Sequence, residues 1–475
     1  MKALILVLTV LLSACVGNSP FRTADGVSCE HWSGCGSSYE NNNGYDLGFI
    51  EYTERGNDFN PQETASLLKK IQAASDAGSV ALVIFVHGWK HNASTEDGNV
   101  NSFKKALQRI AVSKVVGGKK IIGLYVGWRG MSFHGLGLEN LTFWDRKSTA
   151  EEVGRGGVTE LFLKLENITA ANQKNFMITI GHSFGGAITL TALHDTLLSK
   201  MAAIERGKET KAFGDGVILL NPAIEANQAL LLKEHSMSIG AMAKKVPSIM
   251  YVVSSQADIP TNYLFPLGQF FGVNVRTNQV DIKRRYLGRD YVIREQDLDT
   301  QTVGNYGMFT TGVMNDREFQ KIEAEAVDVV KAERAELKRS TGSEKPSGST
   351  HVLSNMAQDG SLGIRSLEAM PLEKWTLENR CSRANKEFGI RSFPCSTTDP
   401  IDFVSVPESF IENHNEIYGD SVISLLSVLV MKSLVERNKD NLRSYCANEQ
   451  GFSFENCFSH YYKLNTLLTD AEAAK

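Results

Sequence analysis

An abrupt change from strand to helix at residues 176–186 constrains the fold more than any other feature of this sequence. Residues 176–180 are mostly apolar and rich in isoleucine, the sequence Gly-His-Ser-Phe-Gly follows at 181–185, and residues 187–194 have helical spacing. A chain can reverse so sharply only through a strained turn, and small residues such as Gly181 and Gly185 prevent clashes there. The pattern predicts that Ser183 lies at the tip of the turn and acts as a nucleophile.

Apolar runs alternate with helical patterns along much of the chain. The run at residues 80–86 is continuously apolar, as expected of a strand buried on both faces of a parallel sheet, and it ends at His87 and Gly88. Similar runs end at residues 128, 220 and 255, and residues 401–406 form a further strand-like segment. This rhythm predicts the α/β class, with a doubly wound, mostly parallel sheet.

With the His87-Gly88 pair and the turn at Ser183, the chain resembles the α/β-hydrolase superfamily, in particular its serine esterases and lipases. In that family a His-Gly pair opens the loop that gives one oxyanion donor. The resemblance therefore implies that the backbone N–H groups of Trp89 and Phe184 form the oxyanion hole. The family's chain order is serine, acid, histidine, so His87 precedes the nucleophile too early to be the base and is expected to shape the loop instead.

The acid of this arrangement is expected after a strand that follows the nucleophile. Asp258 meets that condition, because a β-branched run gives way to small polar residues and then to this carboxylate. Glu225, which follows the preceding strand, is the alternative. Asn221 and Pro222 resemble the start of a helix, which favours Asp258 over Glu225.

His414 is the expected base, because it lies between the strand-like residues 401–406 and the apolar segment 421–432, where the hydrolase fold presents its histidine. The alternative is His351, which follows a Ser/Gly/Lys/Pro stretch typical of a linker. From these three residues we predict that His414 takes the proton of Ser183 and that Asp258 orients the imidazole. An acyl-enzyme is then expected to form.

A serine hydrolase that cleaves carboxylic esters, with an ester or lipid-like substrate, is the resulting functional hypothesis. A peptidase, thioesterase or acyltransferase would use the same triad. A second hypothesis is a non-catalytic envelope lipoprotein that keeps the fold for binding or assembly, but such a protein has no need of all three groups. The sequence has no metal-ligand or phosphate-loop spacing, so neither a metal nor a cofactor is expected. The net charge of −4 argues against a nucleic-acid partner.

The first residues have the features of a bacterial export signal. Lys2 is followed by an apolar run too short to span a membrane, and the run ends in Leu-Ser-Ala-Cys at residues 12–15. These four residues resemble a lipobox, which implies a signal peptide at 1–14 and lipidation of Cys15, including palmitate. Because Val16 follows, the resemblance implies retention in the outer membrane, with the enzyme facing the periplasm or the exterior.

The cysteine count is consistent with an oxidising compartment. Of seven cysteines, six remain beside Cys15, and they permit fifteen connectivities. Pairing of sequence neighbours is the simplest of these: Cys29 with Cys35, Cys381 with Cys395, and Cys446 with Cys457.

The expected organisation is one catalytic domain interrupted by a cap. We predict a tether at 15–44, core at 45–258, a long cap or lid insertion at 259–400 with a linker near 339–350, and the rest of the core at 401–475. Aromatic residues in 263–272 are expected either to line an acyl pocket or to pack the insertion onto the core; the sequence leaves both open.

Overall fold

A computed structural model describes residues 18–113, 119–131, 143–208, 213–242, 248–267, 269, 280–286, 288–313 and 399–419, together with Val422 and Leu426. Several predicted features lie outside these residues: the signal peptide and Cys15, the linker near 339–350, His351, and the four cysteines beyond residue 380. They stay predictions.

The described strands and helices alternate through most of the chain, as the apolar runs predict. The strands are β1 (Arg22–Thr23), β2 (Gly36–Ser37), β3 (Tyr39–Asn42), β4 (Tyr45–Tyr52), β5 (Val80–Val86), β6 (Lys120–Trp128), β7 (Phe176–His182), β8 (Gly216–Leu220), β9 (Met250–Ser255), β10 (Asp281–Tyr286), β11 (Arg289–Arg294), β12 (Gly312–Val313) and β13 (Ile401–Val406). The α-helices are α1 (Pro61–Ala77), α2 (Gly98–Ser113), α3 (Phe143–Val153), α4 (Thr159–Ala170), α5 (Phe184–Glu205), α6 (Leu230–Ala241) and α7 (Glu295–Thr300).

Nine of these strands form one sheet in the order β12-β13-β9-β8-β7-β5-β6-β4-β3. All neighbouring pairs are parallel except β3 with β4, which is antiparallel at the edge. The molecule is therefore of mixed α/β class with a largely parallel central sheet, and it is compatible with the α/β-hydrolase fold.

Both faces of the sheet are covered, which explains why β5 is apolar at every position. Successive side chains of a strand point to opposite faces, so Leu82 and Ile84 join one core layer while Val83 and Phe85 join the other. Helices α1, α4 and α5 contribute to the first layer, and α2 contributes to the second. In the described ranges, no helix has the length and apolarity needed to cross a membrane.

The predicted tether at 15–44 is wrong for the residues that the structure describes from Asn18 onward. This stretch contains β1, β2 and β3, and β3 pairs with β4 at the edge of the main sheet. The buried Arg22 guanidinium donates to the Ala93 carbonyl (2.5 Å) and pairs with Glu40 (2.8 Å). The Cys29–Cys35 disulfide is formed. Specific side-chain contacts thus order a segment whose composition alone suggests a flexible chain.

The described parts of the predicted insertion are more closely joined to the core than the sequence suggests. Strand β12 pairs in parallel with β13 and so extends the main sheet. Strands β10 and β11 form a separate antiparallel hairpin, where Arg284 of β10 pairs with Glu234 of α6 (2.7 Å).

Candidate active site

The candidate site lies where the chain changes direction along the sheet. Strand β5 is flanked by β6 on one side and β7 on the other. The chain passes from β5 to β6 in one direction along the sheet, and then returns past β5 to β7 in the opposite direction. Open parallel sheets bind ligands beside the carboxyl ends of strands at such a switch point. The loop at His87 follows β5, and Ser183 follows β7, so both lie at this edge.

The turn at Ser183 has the strained geometry that the sequence predicts. Ser183 has φ 55° and ψ −121°, and α5 begins at the next residue. A Cβ atom on Gly185 would lie 2.0 Å from the Val86 carbonyl oxygen, and one on Gly181 would lie 2.6 Å from the Gly185 oxygen. Any side chain at these two positions would therefore clash with the backbone. Glycine at both positions allows the helix to start directly beside β5 and β7.

Three of the predicted residues form one line of hydrogen bonds. The Ser183 hydroxyl donates to His414 Nε2 (Oγ to Nε2, 2.7 Å), and His414 Nδ1 donates to Asp258 Oδ1 (2.8 Å). The carboxylate can only accept, so it selects the tautomer with hydrogen on Nδ1 and leaves Nε2 free to accept. Residues separated by up to 231 positions are thereby brought together.

Asp258 is completely buried and its carboxylate has further donors. Thr261 contributes its hydroxyl to Oδ2 (2.5 Å) and its backbone N–H to Oδ1 (3.3 Å). Asn305 in turn donates to the Thr261 hydroxyl oxygen (2.9 Å). Neither Thr261 nor Asn305 was predicted from the sequence. Thr261 lies only three residues after Asp258, so its support of the carboxylate is local, whereas Asn305 is brought there by the fold.

Glu225, the alternative acid, has a different partner. Its carboxylate pairs with Lys147 of α3 (2.7 Å), which also pairs with Glu151 (2.7 Å). Burial lowers the pKa of Lys147, but these two carboxylates raise it overall. It is Asp258, and not Glu225, that contacts the imidazole of His414.

The predicted helix start at Asn221 and Pro222 is wrong. Asn221 has a left-handed backbone (φ 44°), and α6 begins only at Leu230, after a 3₁₀ turn at Ala226–Ala229. Asparagine tolerates this conformation better than most residues. Together with Lys90 and Ser183, it completes the set of non-glycine residues with positive φ in the described chain. All three lie in loops at the edge of the sheet that holds the site, where strained backbone is commonly concentrated.

The two segments that carry the expected oxyanion donors, the loop after β5 and the turn at Ser183, pack directly on each other. A Cβ atom on Gly88 would lie 2.7 Å from Ser183 Cβ, so only glycine permits this close approach. Phe184 is the first residue of α5, and N–H groups at that position have no partner within a helix. No hydrogen-bond partner of the Trp89 N–H is found in the described part of the chain.

His87 holds the loop that follows β5 against β6. Its Nδ1 donates to the Gly88 carbonyl (2.9 Å), while its Nε2 accepts from the Trp128 backbone N–H (3.0 Å). The Trp128 indole donates to the His87 carbonyl (2.9 Å). Burial lowers the pKa of His87 to about 4, which keeps the ring neutral and preserves this donor-acceptor pattern.

Aromatic side chains pack beside these loops. Phe143 contacts Trp89 (ring centroids 5.2 Å apart), Phe184 (4.9 Å) and Phe265 (6.2 Å). Phe265, from the predicted insertion, is fully buried and therefore packs that segment onto the core. Its neighbours Tyr263, Leu264 and Leu267 are at least half exposed. Whether the segment also lines an acyl pocket stays a prediction.

Within the described ranges, no group of three or more His, Cys, Asp or Glu side chains is placed to hold a metal ion.

Comparison with known protein families finds no matching family, and comparison with curated proteins finds no matching protein. Among solved structures, phospholipase PlaB from Legionella pneumophila in complex with thio-NAD aligns with 14% identity over 46% of this chain and 48% of that one, at a TM-score of 0.22. The chain thus spans about half the length of that protein. The functional conclusion rests on the site geometry and not on this alignment.

Proposed function

We propose that this protein is a serine hydrolase that cleaves carboxylic esters through Ser183, His414 and Asp258. The observation that supports the proposal is the hydrogen-bonded line from the Ser183 hydroxyl through the His414 imidazole to the Asp258 carboxylate, with distances of 2.7 and 2.8 Å. A nucleophile, a base and an orienting acid in hydrogen-bond contact are what acyl transfer at neutral pH requires.

Each group has a defined task in the proposed reaction. His414 Nε2 takes the hydroxyl proton as Ser183 Oγ attacks the ester carbonyl, and Asp258 stabilises the imidazolium that forms. The N–H groups of Trp89 and Phe184 stabilise the tetrahedral oxyanion. His414 then returns the proton to the departing alcohol. Water, activated by the same imidazole, hydrolyses the acyl-enzyme and releases the acid.

We further propose that the enzyme acts in the bacterial envelope, on esters or lipid-like substrates, and is held at the membrane through lipidated Cys15. Stable anchoring to a membrane generally needs two membrane-binding groups, such as two acyl chains. In this proposal, lipidation of the lipobox cysteine supplies them. The proposal predicts that the wild-type chain, expressed in a bacterium fed labelled palmitate, incorporates the label and sediments with membranes. A Cys15→Ser chain is expected to do neither. Equal labelling of both chains would contradict the anchor without affecting the hydrolase proposal.

Covalent labelling tests the nucleophile. The purified full-length chain in mild detergent is treated with a fluorescent fluorophosphonate, beside Ser183→Ala and Ser66→Ala, a control serine that is exposed on α1. We expect labelling of the wild type and of Ser66→Ala, and none of Ser183→Ala. Equal labelling of wild type and Ser183→Ala, or no labelling of a folded wild type, would contradict the proposed function.

A series of esters that differ in acyl length then separates an esterase from a lipase. Labelling without turnover of any ester would instead favour peptide, thioester or transfer chemistry at the same triad. A folded chain with neither labelling nor turnover would favour a binding protein.

A further inference from the structure

The backbone of His414, and not only its ring, is held by side chains from neighbouring strands. The His414 carbonyl oxygen accepts a hydrogen bond from Nε2 of His182 (2.7 Å) and another from Nδ2 of Asn221 (3.3 Å). His182 is the last residue of β7, and Asn221 directly follows β8. Both side chains are almost completely buried, with 1% and 0% exposure, so solvent does not compete for these bonds.

Asn221 connects three parts of the site at the cost of a left-handed backbone. Its Oδ1 accepts from the Ser255 N–H at the end of β9 (2.9 Å), while its own N–H donates to the Val253 carbonyl (2.8 Å). The Ser255 hydroxyl donates to the Ile411 carbonyl at the start of the histidine loop (2.7 Å). The loop that carries His414 is therefore tied to the ends of β7, β8 and β9.

His182 can act only as a neutral donor in this arrangement. A carbonyl oxygen accepts and never donates, so Nε2 must carry the hydrogen. Its Nδ1 is buried and has no hydrogen-bond partner among the described residues, so a second proton there would be unpaired. Burial, and then the nearby His414, lower the pKa of His182 well below its usual value. His182 consequently adds no positive charge beside His414 when the latter takes a proton.

The position of His182 also relates the base to the nucleophile. His182 directly precedes Ser183, and its ring centroid lies 5.0 Å from that of His414. A change in the strand end that carries the hydroxyl therefore moves the donor that holds the base. We propose that His182 and Asn221 are positioning residues that hold His414 within hydrogen-bond reach of Ser183 through its backbone carbonyl. The inference rests on the proposed function of the Ser183–His414–Asp258 line.

Three substitutions at one position separate hydrogen bonding from packing. His182→Gln puts an amide N–H near the place of Nε2, whereas His182→Asn puts it near the place of Nδ1, too far back to reach the carbonyl. His182→Phe keeps a ring and removes the donor. Asn221→Gly removes the second donor and relieves the left-handed backbone. Each variant is examined as the full-length chain, with its thermal unfolding midpoint measured first.

The readouts are the rate of fluorophosphonate labelling of Ser183 and, for a hydrolysed short ester, kcat and KM. We expect His182→Asn and His182→Phe to lower the labelling rate and kcat by roughly 10- to 100-fold with KM nearly unchanged, because small displacements of a base are costly. His182→Gln should stay within about threefold of the wild type, and Asn221→Gly should fall roughly 10-fold, since its bond to the carbonyl is longer.

Failure of this inference differs from failure of the proposed function. A labelled wild type with His182→Asn labelled equally fast, or with His182→Gln as slow as His182→Asn, would overturn the positioning role and leave the hydrolase proposal intact. If His182→Phe does not fold, the glutamine and asparagine variants decide the question, because they differ only in how far the amide reaches. An unlabelled, folded wild type would instead contradict the proposed function itself.

Discussion

A buried cluster of charged or polar side chains lies beside each end of strand β13. The two clusters differ in the hydrogen-bond partners of their side-chain atoms. Beyond the carboxyl end, His414 bridges Ser183 and Asp258 with two bonds of 2.7 and 2.8 Å. At the amino end, Lys233 Nζ lies 3.6 Å from Asp399 Oδ2, and neither carboxylate oxygen of Asp402 has a hydrogen-bond partner among the described residues.

This difference shows why buried charge alone does not identify a reaction site. Both Lys233 and Asp399 are 1% exposed at their side chains, so the pair is enclosed and gives a ligand no surface to contact. Burial lowers the pKa of Lys233 despite two neighbouring carboxylates. At the carboxyl end, by contrast, Ser183, His414 and Asp258 form a row of hydrogen bonds. Each side chain in this row fixes the tautomer or the orientation of the next one. Four predictions test this contrast.

The largest expected effect follows removal of the proposed base. His414→Ala should reduce turnover and fluorophosphonate labelling by at least about ten-thousandfold, because the serine hydroxyl loses its proton acceptor. His351→Ala is the matched control and should retain wild-type rates. Initial-rate kinetics on a short ester measure both variants. The opposite pattern would show that His351 and not His414 is the base.

Removal of the charge of the proposed acid should have the next largest effect. Asp258→Asn is expected to lower kcat by about 10⁴-fold, since an amide no longer selects the Nδ1–H tautomer of the imidazole. Glu225→Gln, which breaks a pair with Lys147, should change kcat by less than about tenfold. Similar losses in both variants would return Glu225 to consideration as the acid.

At the amino end, the expected effect is on stability and not on rate. Lys233→Met leaves two carboxylates buried without their cation, so we expect the free energy of unfolding to fall by about 3–5 kcal/mol. Lys164→Met, which breaks an exposed pair with Glu160 one helical turn away, should cost less than about 0.5 kcal/mol. Urea unfolding measures both. If folded Lys233→Met had a kcat far below that of the wild type, the amino end of β13 would affect the rate as well as the stability. That result would contradict the contrast between the two ends.

The smallest effect is a dependence of stability on pH that arises at His87, in the loop that follows β5. The pKa of His87 is about 4 in the folded protein, against 6.5 for an ordinary histidine. Below pH 6.5 the unfolded chain therefore binds a proton that the folded chain does not, and stability falls as the pH falls toward 4. We expect His87 to account for a loss of about 2 kcal/mol between pH 7.5 and 5.

Urea unfolding of wild type and His87→Gln at the two pH values checks this sign. The loss on acidification should be smaller in the variant but not absent, because His182 also has a lowered pKa and contributes in the same direction. An equal loss in both proteins would exclude His87 as the source.

Local patterns in the sequence were sufficient where one short segment decides its own structure. The apolar run at residues 80–86 coincides with β5, and the run that ends at residue 128 coincides with β6. The strained turn at Ser183 follows from glycines two residues to either side, since only small side chains fit there. These features depend on steric and hydrophobic effects within about ten residues of chain.

Features that depend on distant partners were missed or misjudged. Residues 18–44 have the composition of a tether, yet Arg22 is buried by contacts with Ala93 and Glu40. Asn221 has the appearance of a helix start, but its side chain is used by Ser255 and His414. In each case a polar group is satisfied by a residue far along the chain, and no local pattern records that contact.

The sequence by itself determined the alternation of strands and helices and the sharp turn at Ser183, because side-chain size and apolar periodicity act locally. It narrowed the acid and the base to two candidates each. Only the tertiary structure decided that Asp258 and not Glu225 contacts His414, and that His182 and Asn221 hold its backbone. Those choices depend on strand order and register, which bring the carboxyl ends of β7, β8 and β9 together at one edge of the sheet. Hydrogen bonds across that edge require this arrangement of strands.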